Sequence, residues 1–211
     1  MGLIHIDLFA TLDGVAQSPG APDEDPEGSF PFGGWQAPLL DDLVGEQVGA
    51  GMSDLDALLL GRHTYDIFAE YWPHQEQGVD SPIATLFNAV PKYVASRGTP
   101  NLEWANSTAL GPDLGAAIGE LRDRHTGVHV IGSLNFVQTL LAEQLFDRFN
   151  LWVYPVVLGV GKKVFGAGAV PANLTLTEPA VTSPKGVVQL RYARAEGTPR
   201  TGDMRLPDRG A

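Results

Sequence analysis

The chain has 211 residues, 44% of them hydrophobic and 18% charged, enough apolar material for one substantial core and too much for a disordered chain. Its formal net charge of -11 argues against wrapping nucleic acid or lying on an anionic membrane, which both need a basic face, and leaves a small molecule as the expected ligand. The absence of cysteine excludes a disulfide framework, a thiol nucleophile and any Cys-ligated zinc or iron–sulfur site.

The opening MGLIHIDLFATLDG has an acid by position 7, no basic leader and no long apolar run. It is expected to be a first strand over residues 4–9, and a cytoplasmic location follows. A segment rich in Gly, Pro and acid, residues 16–38, has no periodicity; a connection that long is either functional or disordered. Its Phe30, Phe32 and Trp35 suit a mobile lid closing over a flat ligand, with Trp35 against the substrate, and a disordered surface insertion is the alternative. The acidic run DEDPEG within it reads as a solvated loop. Apolar spacing then predicts a helix over 39–52, with Asp41 and Asp42 as first-turn acids. A buried strand over 57–60, a helix over 64–70, a short strand at PKYVAS (91–96) and a helix over 114–125 follow. Next come a buried strand over 128–131 and a helix over 134–142. Strands at 148–158, 174–183 and 187–193, with SPKG as a hairpin turn, give an antiparallel finish to a mostly parallel sheet. The whole reads as one α/β domain over residues 1–195 and a flexible tail over 196–211.

Two strand-to-helix junctions carry the chemistry. In LLLGRHTY, Gly61 ends a strand, Arg62 offers a planar fork of donors, and Thr64 supplies a hydroxyl that caps a helix or binds phosphate. In VIGSL, Gly132, Ser133 and Leu134 repeat the arrangement. Free N–H groups and the helix dipole make each an anion site. Taken alone, each junction reads more readily as an ordinary tight turn with a capping hydroxyl; two together could hold two phosphates of one extended ligand. The histidines at 5, 63, 74, 125 and 129 read as structural or surface residues, and no metal site is expected.

Gly61-Arg-His-Thr-Tyr65 resembles a segment of dihydrofolate reductases. The series TLDG, LLLGRHTY, PKYVAS, VIGS and PVVLGVG resembles the reductase domain of bacterial riboflavin biosynthesis, over roughly residues 3 to 195 and without its zinc deaminase partner. The resemblance implies a three-layer α/β/α fold of the dihydrofolate reductase type that binds NADPH and reduces a small polar or heterocyclic substrate. It places Arg62 at the 2′-phosphate, Thr64 at the pyrophosphate, Ser96 and Arg97 at the adenosine end, and Gly61 among the cofactor-binding residues. Gly132, Ser133 and Leu134 fall on the pyrophosphate and nicotinamide side. Thr11, Leu12 and Asp13 border nicotinamide and substrate, with Asp13 the candidate proton donor or substrate-orienting group. Related reductases are often homodimers, and RFNLWVYPVVL, apolar on both faces, is expected to form such an interface. A non-catalytic NADPH-binding or sensor protein of the same fold is the alternative function.

Overall fold

β1 (Leu3–Thr11) sets Ile4, Ile6, Leu8 and Ala10 on one face and His5, Asp7, Phe9 and Thr11 on the other. Nearly all of both faces is buried, as a central parallel strand requires. In the computed structural model, which describes residues 1–75, 77–78, 81–166 and 169–203, β1 lies inside one nine-stranded sheet. The order is β4 (Ser107–Ala109), β3 (Lys92–Ala95), β2 (Leu55–Gly61), β5 (Gly127–Ile131), β1, β6 (Arg148–Tyr154), β9 (Val188–Ala195) and β7 (Asn173–Leu176), with β8 (Val181–Thr182) also on β9. From β4 to β6 every pairing is parallel, and the pairings to β9 are antiparallel.

Helices cover both faces. α4 (Leu114–Arg124) and α5 (Leu134–Ala142) pack Ile118, Leu121, Val137 and Leu140 against Ile4, Ile6, Leu8, Ala57, Leu59, Val128 and Val130. On the other face, α2 (Arg62–Tyr71) and α3 (Ser81–Ala89) bury Tyr65 and Phe87 against Leu58, Leu60 and Val94. There α1 (Asp42–Gly51) lays Val44 and Val48 on Trp152 and Tyr154. This is the three-layer α/β/α arrangement.

Several expectations shift by a few residues. α2 begins at Arg62 with Gly61 as its N-cap, so Thr64 lies inside the first turn and does not cap it. Asp41 is the N-cap of α1, accepting the Val44 N–H at 3.0 Å, in keeping with its reading as a helix-start acid. The expected strand at 174–183 is two pieces, β7 and β8, and the SPKG turn closes with the Gly186 N–H on the Ser183 carbonyl at 2.9 Å. The helix α3 and the polar strand β4 have no counterpart in the sequence reading. Part of the expected tail, residues 204–211, lies outside the described residues. β6 is an interior strand between β1 and β9, and one of its faces, Trp152 and Tyr154, is buried within the chain itself. Its double apolarity is therefore half explained without a partner.

Candidate functional site

β1 and β5 are neighbours, yet the helices that follow them, α1 and α5, lie on opposite faces of the sheet. The crevice outside the carboxyl ends of such a strand pair is where open α/β sheets bind ligands. The junctions at Gly61 and Gly132 both open on it, and each is built on the other. The Gly61 N–H donates to Ser133 Oγ at 2.9 Å, and the Ser133 N–H donates to Thr64 Oγ1 at 3.0 Å. The turn into α5 needs two left-handed residues, Gly132 at φ 66° and Ser133 at φ 57°. Gly61 lets the two elements approach closely, since a Cβ there would lie 3.0 Å from Cβ of Phe136 on α5, tighter than side chains ordinarily pack. Neither α2 nor α5 has a side-chain cap, so two helix N-termini present backbone N–H groups at one place.

Gly61 pairs with Ala95, so Ser96 and Arg97 follow β3 on the same rim as Arg62. Ser96 Oγ accepts the Gly98 N–H at 3.2 Å, and Arg97 is exposed. Arg62 donates from Nε to both oxygens of Asp66 at 2.7 Å, a pair that occupies one edge of the guanidinium. A groove of about 690 Å³ runs from Arg62 along α2, past Asp66 and Glu70, to Glu103 and Trp104.

At the end of β1 the side chains are committed to the backbone. Thr11 Oγ1 donates to Asp13 at 2.6 Å and accepts the Val15 N–H at 2.9 Å. The Asp13 carboxylate also accepts from Leu158 and Gly159 at 3.2 and 2.9 Å. The Thr11 hydroxyl first, and those two amides after it, hold the Asp13 carboxyl down at about 2, against a smaller opposing effect of burial. Asp13 is thus an ionised clamp between the β1 turn and the 158–159 loop, which does not fit the role of proton donor. Leu12 is 67% exposed beside it.

The 16–38 segment departs most from expectation. It is held down as a strap. Gln17 Nε2 donates to the carbonyls of Asp25 and Glu27 at 3.0 and 2.9 Å, and its Oε1 accepts the Lys162 N–H at 3.0 Å. Trp35, 8% exposed, donates Nε1 to the Gln17 carbonyl at 2.8 Å and meets Tyr154 edge-on at 5.3 Å. Trp35 therefore belongs to the core under α1, with Val15, Phe30 and Val44, and is no wall for a substrate. The run DEDPEG is likewise no solvated loop throughout, because Asp25 is buried and bonded to Lys162 Nζ at 2.7 Å, with His63 Nε2 3.3 Å away. Glu27 takes the same ammonium at 2.6 Å. Burial raises the Asp25 carboxyl, but the hydrogen bonds from Lys162 and His63 outweigh it and the net direction is down. Burial likewise lowers Lys162, and its bonds to Asp25 and Glu27 turn the net direction up. Asp25 so ties the strap to the start of α2 on one side and to the 159–163 loop on the other. These residues were missed because their partners lie far away in sequence.

The profile of the RibD C-terminal domain family matches residues 3–188, nearly all of the described chain. The chain belongs to the RibD C-terminal domain family. An uncharacterized protein of Bacillus subtilis (strain 168), YyaP, is 28% identical over 144 residues, 67% of this chain and 75% of its own. A Shewanella sp. PV-4 structure described as a riboflavin biosynthesis protein superposes with a TM-score of 0.66 at 18% identity, covering 92% of this chain and 99% of the other. Dihydrofolate reductase of Enterococcus faecalis, complexed with NADP(H), superposes with a TM-score of 0.56 at 12% identity, covering 92% and 98%. At those identities the two structures establish the fold, the dihydrofolate reductase-like one. No helix among the described residues is long and apolar enough to cross a membrane.

Proposed function

We propose that this RibD C-terminal domain protein is an NADPH-dependent reductase of a small polar or heterocyclic substrate. The observation that carries the reading is the pair of uncapped helix N-termini, α2 and α5, stitched through Gly61, Thr64 and Ser133 at a switch point of the sheet. They suit a pyrophosphate, with Gly132 and Leu134 beside it. Arg62, Ser96 and Arg97, on the neighbouring rim, suit the adenosine end, and Arg62 the 2′-phosphate. When bound there, NADPH supplies the hydride, while the protein supplies orientation and exclusion of water. Thr11 and Leu12 border the nicotinamide side, where Thr11 shapes the β1 turn and Leu12 offers exposed apolar surface. With Asp13 held ionised, water is the candidate source of the proton that completes the reduction.

That ionised Asp13 also favours the second reading, a protein of the same fold that binds NADPH without turnover. Steady oxidation of NADPH with a panel of pterins, pyrimidine ribosylamines and quinones separates the two, since tight binding with no turnover on any of them leaves only the binder. The cofactor assignment has its own test. A charge-assisted bond from Arg62 to the 2′-phosphate contributes about 1.5–3 kcal/mol, a preference of roughly ten- to a hundredfold for NADPH over NADH. Arg62→Ala should erase most of it in a fluorescence titration, and unchanged affinities for both cofactors would refute the assignment.

A homodimer belongs to the same proposal. Leu151, Val153, Val188, Leu190, Tyr192 and Leu174 share one face of the β6, β9 and β7 strands and are only half-buried. A second copy of the chain packed there would cover them.

A further inference from the structure

We propose that His5, His129 and Asp54, at the amino ends of the strands and away from the cofactor crevice, bind one divalent transition metal ion of the zinc class. His5 and His129 are direct partners in the parallel β1–β5 register, which stacks their rings at 4.3 Å and 12°. Asp54, just before β2, faces both. Its Oδ1 lies 3.2 Å from His129 Nε2 and its Oδ2 lies 3.3 Å from His5 Nε2, and the three candidate ligand atoms fall within 4.8 Å of one another.

The far side of His129 is built as metal-bound imidazoles usually are. Its Nδ1 lies 2.7 Å from Asp7 Oδ2, and Asp7 Oδ1 accepts from Asn150 Nδ2 at 2.8 Å. Asp7 thus fixes the ring so that Nε2 faces the Asp54 carboxylate. The independent sign is His5 Nε2, which is buried and makes no hydrogen bond despite its closeness to Asp54; His5 as a whole is 8% exposed. One divalent ion would satisfy both Nε2 atoms and the carboxylate together. Because the rings are nearly parallel, one must tilt to bring its nitrogen in line, and His5, with no bond to Nε2, is the one free to do so. The Asp54 side chain, 39% exposed, opens the site to solvent for a water as fourth ligand. Two imidazoles and one carboxylate select Zn²⁺, Co²⁺ or Ni²⁺ over Mg²⁺ or Ca²⁺.

The trio Asp25, Glu27 and His63 also has ligand spacing, but the Lys162 ammonium already fills it. His125 and His129 are four apart, the spacing that joins two ligands on a helix. A strand begins between them, however, and His125 turns instead to Tyr93 and Asp56.

Calorimetric titration of the full chain with Zn²⁺ should give one equivalent bound, and Co²⁺ should develop the visible absorption of a tetrahedral site. His5→Asn and Asp54→Asn should each weaken Zn²⁺ by about a hundredfold or more, since a lost ligand costs no less than a lost outer partner, while His63→Asn leaves the affinity unchanged. In the unaltered protein, Zn²⁺ should shift the ¹⁵N resonances of Nε2 in His5 and His129 and leave the Nδ1 proton of His129 in place. This last measurement holds even if a variant fails to fold. No uptake of Zn²⁺, equal uptake by the His5 and Asp54 variants, or unmoved Nε2 resonances would overturn the proposal.

Discussion

Replacing Ser133 by Ala tests the stitch between the two junctions. The change removes the acceptor of the Gly61 N–H, a buried bond of 2.9 Å, and leaves the Ser133 N–H on Thr64. A buried amide left without a partner costs about 1–3 kcal/mol. In a chain of this size each kcal/mol moves Tm by about 2–4 °C, so the variant should melt roughly 2–12 °C below the parent. Ser107→Ala is the matched control. Ser107 Oγ on β4 is buried with no hydrogen-bond partner, so deleting the same atom there removes a desolvation cost and should leave Tm unchanged or higher. Scanning calorimetry reads both. Because the stitch sets the spacing of the α2 and α5 N-termini, Ser133→Ala should also weaken NADPH binding, and Ser107→Ala should not. If the two variants melt together and bind alike, the junctions are not built on one another as described.

Trp35→Ala, in a core site with its indole bonded to Gln17, should cost about 3–5 kcal/mol in chemical denaturation; a fully stable variant with altered turnover would restore the lid. Lys92 is fully buried, with Nζ on the Asn88 carbonyl and over the Trp104 ring, and burial pulls it from 10.5 down to about 8. The unfolded chain then holds more protons between those two values, so stability rises with pH across that window. Relative to Lys92→Met, the parent should gain up to about 3 kcal/mol from pH 8 to 10.5, and parallel pH profiles would contradict the burial argument. Light scattering at micromolar concentration should give the mass of two chains, with Leu151→Lys shifting it toward one; a monomeric parent would remove the homodimer.

The sequence by itself determined what depends on neighbouring residues. Apolar runs flanked by glycine marked β2 and β5, helical spacing marked α4 and α5, and SPKG marked the turn into β9, because turns and amphipathic periods are local. The two glycine–hydroxyl junctions were legible for the same reason, and the match to the RibD C-terminal domain family agrees with the resemblance read from five ordered motifs. Elements whose local pattern is weak were not legible. β4, three small residues of which two are polar, is a strand because β3 offers an unpaired edge. The 16–38 segment looked loose because glycine, proline and acid give no period, yet Gln17, Asp25 and Trp35 find Lys162, His63 and Tyr154 only once the sheet brings distant loops together. Asp13, a proton-donating or substrate-orienting candidate from its place after β1, meets the 158–159 amides only through the tertiary fold. His5, Asp54 and His129 are separated by most of the chain and meet through the β1–β5 register, a tertiary pairing that no local spacing encodes.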